Sequence, residues 1–473
     1  MVSKKDFKKI SDYLWEIPKS FRPDMKVPAR AYLSSEMLED ALGDRSIGQL
    51  INVATLPGIV KYSIAMPDMH EGYGFPIGGV AAMRTEDGVV SPGGVGYDIN
   101  CGMKLLRSDY TEKEMRPYLD KLASRIQEEV PSGLGMGRQK KMDLSYIEKI
   151  MEDGAQAVVA DGEGESADLE NCESNGKLPR ADASLVSDHA KNRGRDQVGT
   201  LGSGNHFLEI QKVEEIFDEE IAKAFGLFKD QVVIMIHTGS RGLGHQIATD
   251  YIKIMMRAMP KYGINLPDRE LAACPIKSQE GQNYLLAMSC GANYAWANRQ
   301  RIAHFIRKSW QHVLGEKASA LKAVYDVAHN IAKIENQLLV HRKGATRAFP
   351  PGHDEIPMAY QNSGQPVLIP GSMGTASYIL AGVESGKEAF YSANHGAGRA
   401  MSRHEAMRRI RGEEVVKQLE AKGIIVKCRS YRGVAEEAPL AYKNIDNVVE
   451  VVRQAGLAKK VAKVVPIAVV KGE

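Results

Sequence analysis

Apolar residues recur along this chain in two rhythms, and the rhythms alternate. The stretch QVVIMIH, residues 231–237, is a short β-branched apolar run that reads as a buried strand ending in a histidine. VEEIFDEEIAKAFGLF, residues 213–228, has helical spacing. Residues 282–314 keep that spacing long enough for an extended helix, with Gly291 as the place where it could break. Residues 322–328 and 337–342 read as strands, residues 444–454 as a helix capped by Asn444, and residues 461–470 as a strand. No internal repeat, Pro-rich or Ser-rich linker or long block of like charge interrupts the alternation. The pattern predicts an α+β fold with mixed sheets, whose glycine- and histidine-bearing turns lie at strand ends. One segment departs from it: residues 160–177, ADGEGESADLENCESNGK, are acidic and poor in apolar side chains, and read as a surface loop.

Composition changes this picture in a few places. A length of 473 residues admits about two to four domains of roughly 150 residues each. The 45 glycines exceed the usual ~7% and point to tight turns and close backbone approaches. Lys and Arg number 62 against 59 Asp and Glu, so the formal charge is +3. That excludes nucleic-acid binding by bulk charge, and any polyanion site must be a local cluster. The charged N-terminal stretch lacks the apolar centre of a secretory signal, and no apolar run of about 18 residues follows, so a cytoplasmic protein with no membrane segment is expected. Five scattered cysteines, an odd number, argue for reduced thiols rather than a disulfide framework.

Candidate chemistry sits in the glycine-rich turns. GYDINCG places Asp98 and Cys101 three residues apart on a backbone bare enough to bend around an ion. A thiolate with a carboxylate suits a borderline transition metal better than magnesium or calcium. GTLGSGNHFLEI sets Asn205 and His206 after a glycine turn, VIMIHTGSRGLGHQ sets His237 at a strand end, and VYDVAHNIAKIE sets His329 and Asn330 after an apolar run. A lone histidine of this kind is more often a hydrogen-bonded core residue, but three in matching settings change those odds. SANHGAGRAMSRHEAMRRIRG offers His395 in a glycine turn, then Arg399 and Arg403 spaced to share one face at an expected helix start, a natural anion site. Arg408, Arg409 and Arg411 read as a solvated basic face. GVESGKE has the wrong spacing for a P-loop, and HExxH, GxSxG and a strand-linked GxGxxG are lacking, which disfavours the common nucleotide and hydrolase scaffolds.

The motifs HEGYGFPIGGV, GYDINCG, GSGNHFLE, HTGSRGLGH, HNIAK, HRKGATRAF, GSMGT and HGAGR occur in this order from about Asp68 to the C-terminus. Together they closely resemble the RtcB family of RNA-splicing ligases. The resemblance implies a single catalytic domain over residues 1–473, with helices outside mixed sheets and a central cleft at strand ends. It implies a GTP- and manganese-dependent enzyme that joins RNA ends bearing a 2′,3′-cyclic phosphate or 3′-phosphate to 5′-hydroxyl ends, in transfer-RNA splicing and RNA repair. Two manganese ions would share Cys101, one completed by His237 and His329 and the other by Asp98 and His206. Ligand softness alone would favour zinc, iron or cobalt, so zinc is expected to enter or inhibit the site.

The resemblance makes His395 the guanylylated nucleophile and Asp68 its partner acid. It puts guanine on Phe207, Glu209, Ser377, Tyr442 and Lys471, with Ser372, Ala397 and Gly398 near the nucleotide and Asn205 and Asn330 on phosphate oxygens. Arg193, Arg241, Lys343, Arg399 and Arg403 would grip RNA phosphates. An archease-like activator is a further partner the family often uses. Among the other histidines, mostly structural or at the surface, His70 is the least settled. Two other classes compete with this reading: a dinuclear metallophosphatase, and an RNA-binding protein without catalysis.

Overall fold

The protein is described by a computed structural model covering residues 2–133 and 135–472. Two large sheets carry an α+β fold. The first has seven strands in the order Lys8–Ser11, Leu14–Ile17, Ala29–Ala31, Ile59–His70, Ile77–Arg84, Leu338–Lys343 and Asn330–Glu335. The second runs Lys322–Ala328, Gly102–Thr111, Gln231–Thr238, Phe207–Ile216, Ala458–Lys471, Ser377–Gly382 and Pro366–Ile369, with Ile425–Cys428 added in parallel to Ala458–Lys471.

Gln231–Thr238 is buried at every position because it is covered on both faces. Val232, Ile234 and Ile236 pack in one core with Ile302, Phe305 and Ile306 of the long helix, while Val233 and Met235 face another with Phe225 and Tyr360. Alternate residues thus serve alternate faces. The long helix, Gln279–Leu314, is continuous through Gly291. That glycine answers to packing: a Cβ there would meet Ile99 at 3.2 Å. A lone glycine leaves the helical hydrogen-bond ladder intact and costs only about 1 kcal/mol against alanine.

Residues 213–228 do not form one helix. Val213–Ile216 complete the strand Phe207–Ile216, with Val213 paired to Val464, and a short helix, Glu219–Phe225, follows. Asp218 starts it by accepting from the amide of Ile221, and Gly226 ends it in the left-handed conformation. Sheet pairing overrode local periodicity. The strand expected at 337–342 begins one residue later, because Asn336 and Gln337 make the positive-φ turn of a hairpin.

The acidic segment is exposed or half-exposed at most positions, but two of its carboxylates are buried. Asp168 is buried, and its Oδ2 accepts from Arg307 Nη1 at 2.5 Å and Gln300 Nε2 at 2.7 Å. Glu173 is buried too: it accepts from the Ala328 amide at 2.9 Å, lies 3.3 Å from Lys333 Nζ and 3.8 Å from Arg347 Nη1. These two carboxylates neutralise largely buried cations beneath the segment. Burial alone would raise the Glu173 carboxyl, but Arg347, Lys333 and the Ala328 amide bring it down to about 2. Its contribution to stability is therefore full above the ordinary carboxylate range and lost as pH falls toward 2. Glu173→Ala is expected to lower stability by about 3 kcal/mol at neutral pH, because it leaves Lys333 and Arg347 with only the more exposed Glu355 as carboxylate partner and the Ala328 amide without its acceptor. Denaturant unfolding curves should show that gap narrowing on acidification.

No helix among the described residues is long and apolar enough to cross a membrane.

Candidate functional site

Sheet register assembles the site. GYDINCG leads into the strand Gly102–Thr111, where Gly102 pairs with Thr238 on one side and Ala328 on the other. Cys101 therefore falls beside His237 and His329. Asn100 adopts a φ of 52°, a left-handed conformation that asparagine tolerates, and its amide donates to the Asn330 carbonyl at 2.7 Å. His329 occupies the one-residue joint between Lys322–Ala328 of the larger sheet and Asn330–Glu335 of the smaller, and its amide donates to the Cys101 carbonyl at 2.9 Å.

The Cys101 Sγ lies 3.3 Å from His237 Nε2 and 3.5 Å from His206 Nε2. His237 Nε2 is 3.3 Å from His329 Nε2, and His206 Nε2 is 2.9 Å from Asp98 Oδ2. Two donor groups result, Cys101 with His237 and His329, and Cys101 with Asp98 and His206, each with its ligand atoms within 4.8 Å of one another. His237 Nδ1 donates to the Asn205 carbonyl at 2.9 Å, which leaves Nε2 as the free lone pair. The other carboxylate oxygen of Asp98 accepts from the Ser240 amide at 2.9 Å. Buried sulfur and imidazoles with a partly exposed carboxylate, all in fixed orientations, fit a borderline divalent metal.

Electrostatics agree with that use. Burial, reinforced by Asp98, pushes the Cys101 thiol well above its ordinary value, and burial holds His237 and His329 well below theirs, neutral and able to ligate. Burial would raise Asp98, but His206 brings its carboxyl down to about 2. A thiol protonated at neutral pH must give up its proton to bind a cation. Metal uptake is therefore expected to release protons and to tighten about tenfold per pH unit below the thiol's pKa. Calorimetry in buffers of different ionisation enthalpy measures this directly.

His395 stands next to this cluster, its ring 5.0 Å from that of His329. Its Nδ1 lies 2.5 Å from Oδ2 of the fully buried Asp68, which also accepts from the amides of His395 and Gly396 at 3.0 and 3.3 Å. Both features open on one cavity of about 370 Å³. Asn205, Phe207, Asn330, Ser372, Ala397, Gly398, Tyr442 and Lys471 line it, as do Lys343, Arg399 and Arg403. Glu209 and Ser377 lie behind that wall, joined through Gln211, whose Nε2 donates to Glu209 at 2.7 Å and to Ser377 at 3.2 Å. Burial raises the Glu209 carboxyl to about 7 against the opposing pull of Gln211 and Lys471, and lowers the Lys471 ammonium to about 8.

Arg193 and Arg241 do not line the cavity. Arg193 is exposed and donates to Gln246, and Arg241 donates to Thr200 at 3.2 Å and to the Met136 carbonyl at 3.4 Å. Lys343 is buried, donates to the carbonyls of Tyr73 and Phe75, and is brought down to about 7 by burial. Arg399 and Arg403 do not share a helix face: the helix begins at Arg403 after its cap Ser402, and Arg399 bridges to Tyr442 in the irregular stretch before it. The two arginines converge instead on buried Glu437, each at 3.2 Å, and Tyr442 donates to the same carboxylate. Glu437, which lines the cavity, and Gln211 behind it are not singled out by the sequence, and His70, left unsettled there, lines the cavity with its Nδ1 2.9 Å from the Asp68 carbonyl. Glu437 and Gln211 stand in no glycine turn and at no metal-ligand spacing. His70 opens the glycine-rich motif HEGYGFPIGGV two residues after Asp68, a signal that leaves its role unsettled.

Fold and site together define an α+β protein built around a Cys–His–Asp cluster fit for metal, with a His–carboxylate pair beside it. The chain belongs to the RtcB family, described as tRNA-splicing ligase RtcB, whose match spans residues 49–472. It is 53% identical over 476 residues to the tRNA-splicing ligase RtcB of Thermococcus kodakarensis, covering 98% of each chain. Against the RNA-splicing ligase RtcB of Mycobacterium tuberculosis the identity is 50% over 435 residues, covering 90% of this chain and 100% of that one.

Proposed function

We propose that this chain is an RNA ligase that uses GTP and two manganese ions to join RNA ends bearing a 2′,3′-cyclic phosphate or 3′-phosphate to 5′-hydroxyl ends, in transfer-RNA splicing and RNA repair. The observation that carries this reading is one cavity holding the His395–Asp68 pair beside two donor groups that share Cys101. Membership of a family of tRNA-splicing ligases supports the substrate class. Cys101 with His237 and His329 would hold one ion, and Cys101 with Asp98 and His206 the other. Bound manganese supplies positive charge against the phosphate oxygens and the leaving pyrophosphate.

His395 performs the first step. With Nδ1 held by Asp68, Nε2 attacks the α-phosphorus of GTP, the P–N bond forming as the bond to pyrophosphate breaks. Asp68 stabilises the positive imidazole that results. An RNA 3′-phosphate, made by hydrolytic opening of a cyclic end, takes GMP from His395 to give an RNA-ppG end. The 5′-hydroxyl then attacks that end and GMP departs.

Guanine contacts the wall made by Phe207, Tyr442 and Lys471, with Glu209 and Ser377 behind it. Turned from Gln211 toward the cavity and ionised by the guanine N–H groups it meets there, Glu209 would accept hydrogens that adenine does not offer at the same edge, and an unmatched buried carboxylate penalises the wrong base. Ser372, Ala397 and Gly398 border the nucleotide. Asn330 donates one amide hydrogen to the Asp98 carbonyl, which leaves the other for a phosphate oxygen, and Asn205 faces the same space. Lys343, Arg399 and Arg403 provide the local cations for RNA phosphates, with Arg193 and Arg241 further out, so binding weakens as salt rises.

The test supplies both RNA ends with GTP and manganese and follows joined product and protein mass. A phosphatase would release phosphate without a protein adduct, and an RNA-binding protein would do neither. Zinc added at the manganese concentration is expected to suppress joining, since thiolate favours it. Unchanged joining in its presence would reject competition at Cys101.

A further inference from the structure

Two neighbouring side chains on the long helix, Asn298 and Arg299, are fully buried and reach none of the cavity. Arg299 donates through Nε to Asp326 at 2.8 Å, through Nη1 to the carbonyls of Asn100 at 2.8 Å and Thr238 at 2.9 Å, and through Nη2 to Asn100 Oδ1 at 3.0 Å. Asn298 Oδ1 accepts from the amides of Gly199 and Thr200 at 2.7 and 3.0 Å, and its Nδ2 donates to the carbonyls of Thr200 and Gly239, both at 3.1 Å.

The partners are not scattered. Asn100 precedes Cys101 and follows Asp98 by two residues; Thr238 and Gly239 follow His237; Asp326 lies three residues before His329; Gly199 and Thr200 open the loop that carries His206. Every segment bearing one of the five donors is tied to these two residues. A planar guanidinium holds several acceptors in a fixed fork. A buried charge is rarely the most stabilising filling for a core, and apolar replacement of buried ion pairs is often neutral or better. Stability alone therefore does not account for Arg299.

We propose that Asn298 and Arg299 are positioning residues of the metal centre, setting the separation and direction of its donors from beneath. The inference rests on reading the two donor groups as a metal site. Asn293 provides an internal comparison: it is buried on the same helix and bonds Leu178, Met151 and Glu152, none in a donor-bearing segment.

The experiment compares the full-length protein with Arg299→Lys, Asn298→Ser and Asn293→Ser, using cobalt as the probe. Cobalt affinity is titrated, the thiolate-to-cobalt absorption of Cys101 is recorded, and unfolding is measured without metal. Arg299→Lys and Asn298→Ser are expected to bind cobalt about 10–100-fold more weakly with an altered absorption. Asn293→Ser should lose stability while keeping wild-type affinity and spectrum. Wild-type affinity and spectrum in the first two overturn the proposal, and so does an equal loss in Asn293→Ser. If Arg299→Lys does not fold, Asn298→Ser decides by the same comparison. A wild-type protein that takes up no cobalt would instead defeat the metal-site reading itself.

Discussion

Replacing His395 with alanine is expected to abolish the protein–GMP adduct and to slow RNA joining by about four orders of magnitude or more. The substitution removes the one nitrogen that Asp68 orients toward the cavity, and water cannot pass GMP to an RNA phosphate in its place. The fold should survive, because Asp68 keeps the backbone amides of residues 395 and 396 as donors and is not left bare. The metal cluster is likewise untouched, since His395 belongs to neither donor group. Intact mass after incubation with GTP and manganese measures the adduct. A sharper check uses RNA already carrying the ppG end: the variant should still join it, because only the last attack remains. An adduct that persists in His395→Ala would remove the basis of the proposed chemistry.

The second large effect is expected at Cys101. Its sulfur is the only atom common to both donor groups, so Cys101→Ser should weaken both sites by at least about 100-fold and bring joining below detection. A serine hydroxyl stays protonated at neutral pH and is a far poorer ligand than thiolate. His206→Ala, by contrast, spoils one group and leaves the other with all three donors. Metal analysis after gel filtration should therefore find no tightly held ion in Cys101→Ser and one in His206→Ala. Two ions retained by Cys101→Ser would show that the sulfur does not bridge.

The features that the sequence made legible are those dictated by local chemistry. A run such as residues 231–237 has few alternatives to a buried strand, and glycines around Asp98, Cys101 and His206 mark backbone that must fold tightly around something. The three histidines and the cysteine could be grouped because each ended an apolar run or a glycine turn. What stayed hidden depends on partners remote in sequence. Val213 went to a strand because Val464 lies beside it, and Gly291 is a contact rather than a break because Ile99 presses on it. The carboxylates of Asp168 and Glu173 looked like surface charge because the cations that bury them, Arg307, Lys333 and Arg347, come from segments more than a hundred residues away. Glu437 gave no signal for the same reason: its importance lies in what converges on it.

His329 belongs to neither sheet and to both, since the strand before it lies in one and the strand after it in the other. Asp68 rides on the smaller sheet, while Cys101 adjoins and His237 lies in the larger. The separation of the His395–Asp68 pair from the Cys–His–Asp cluster is thus a property of how two platforms are riveted, with Glu173 clamping the same seam through Ala328 and Lys333. A substitution that slides one platform by a fraction of an ångström would leave all contact residues in place and still stall turnover. Loss of activity from distant, innocuous-looking positions along that seam is the behaviour such a layout entails.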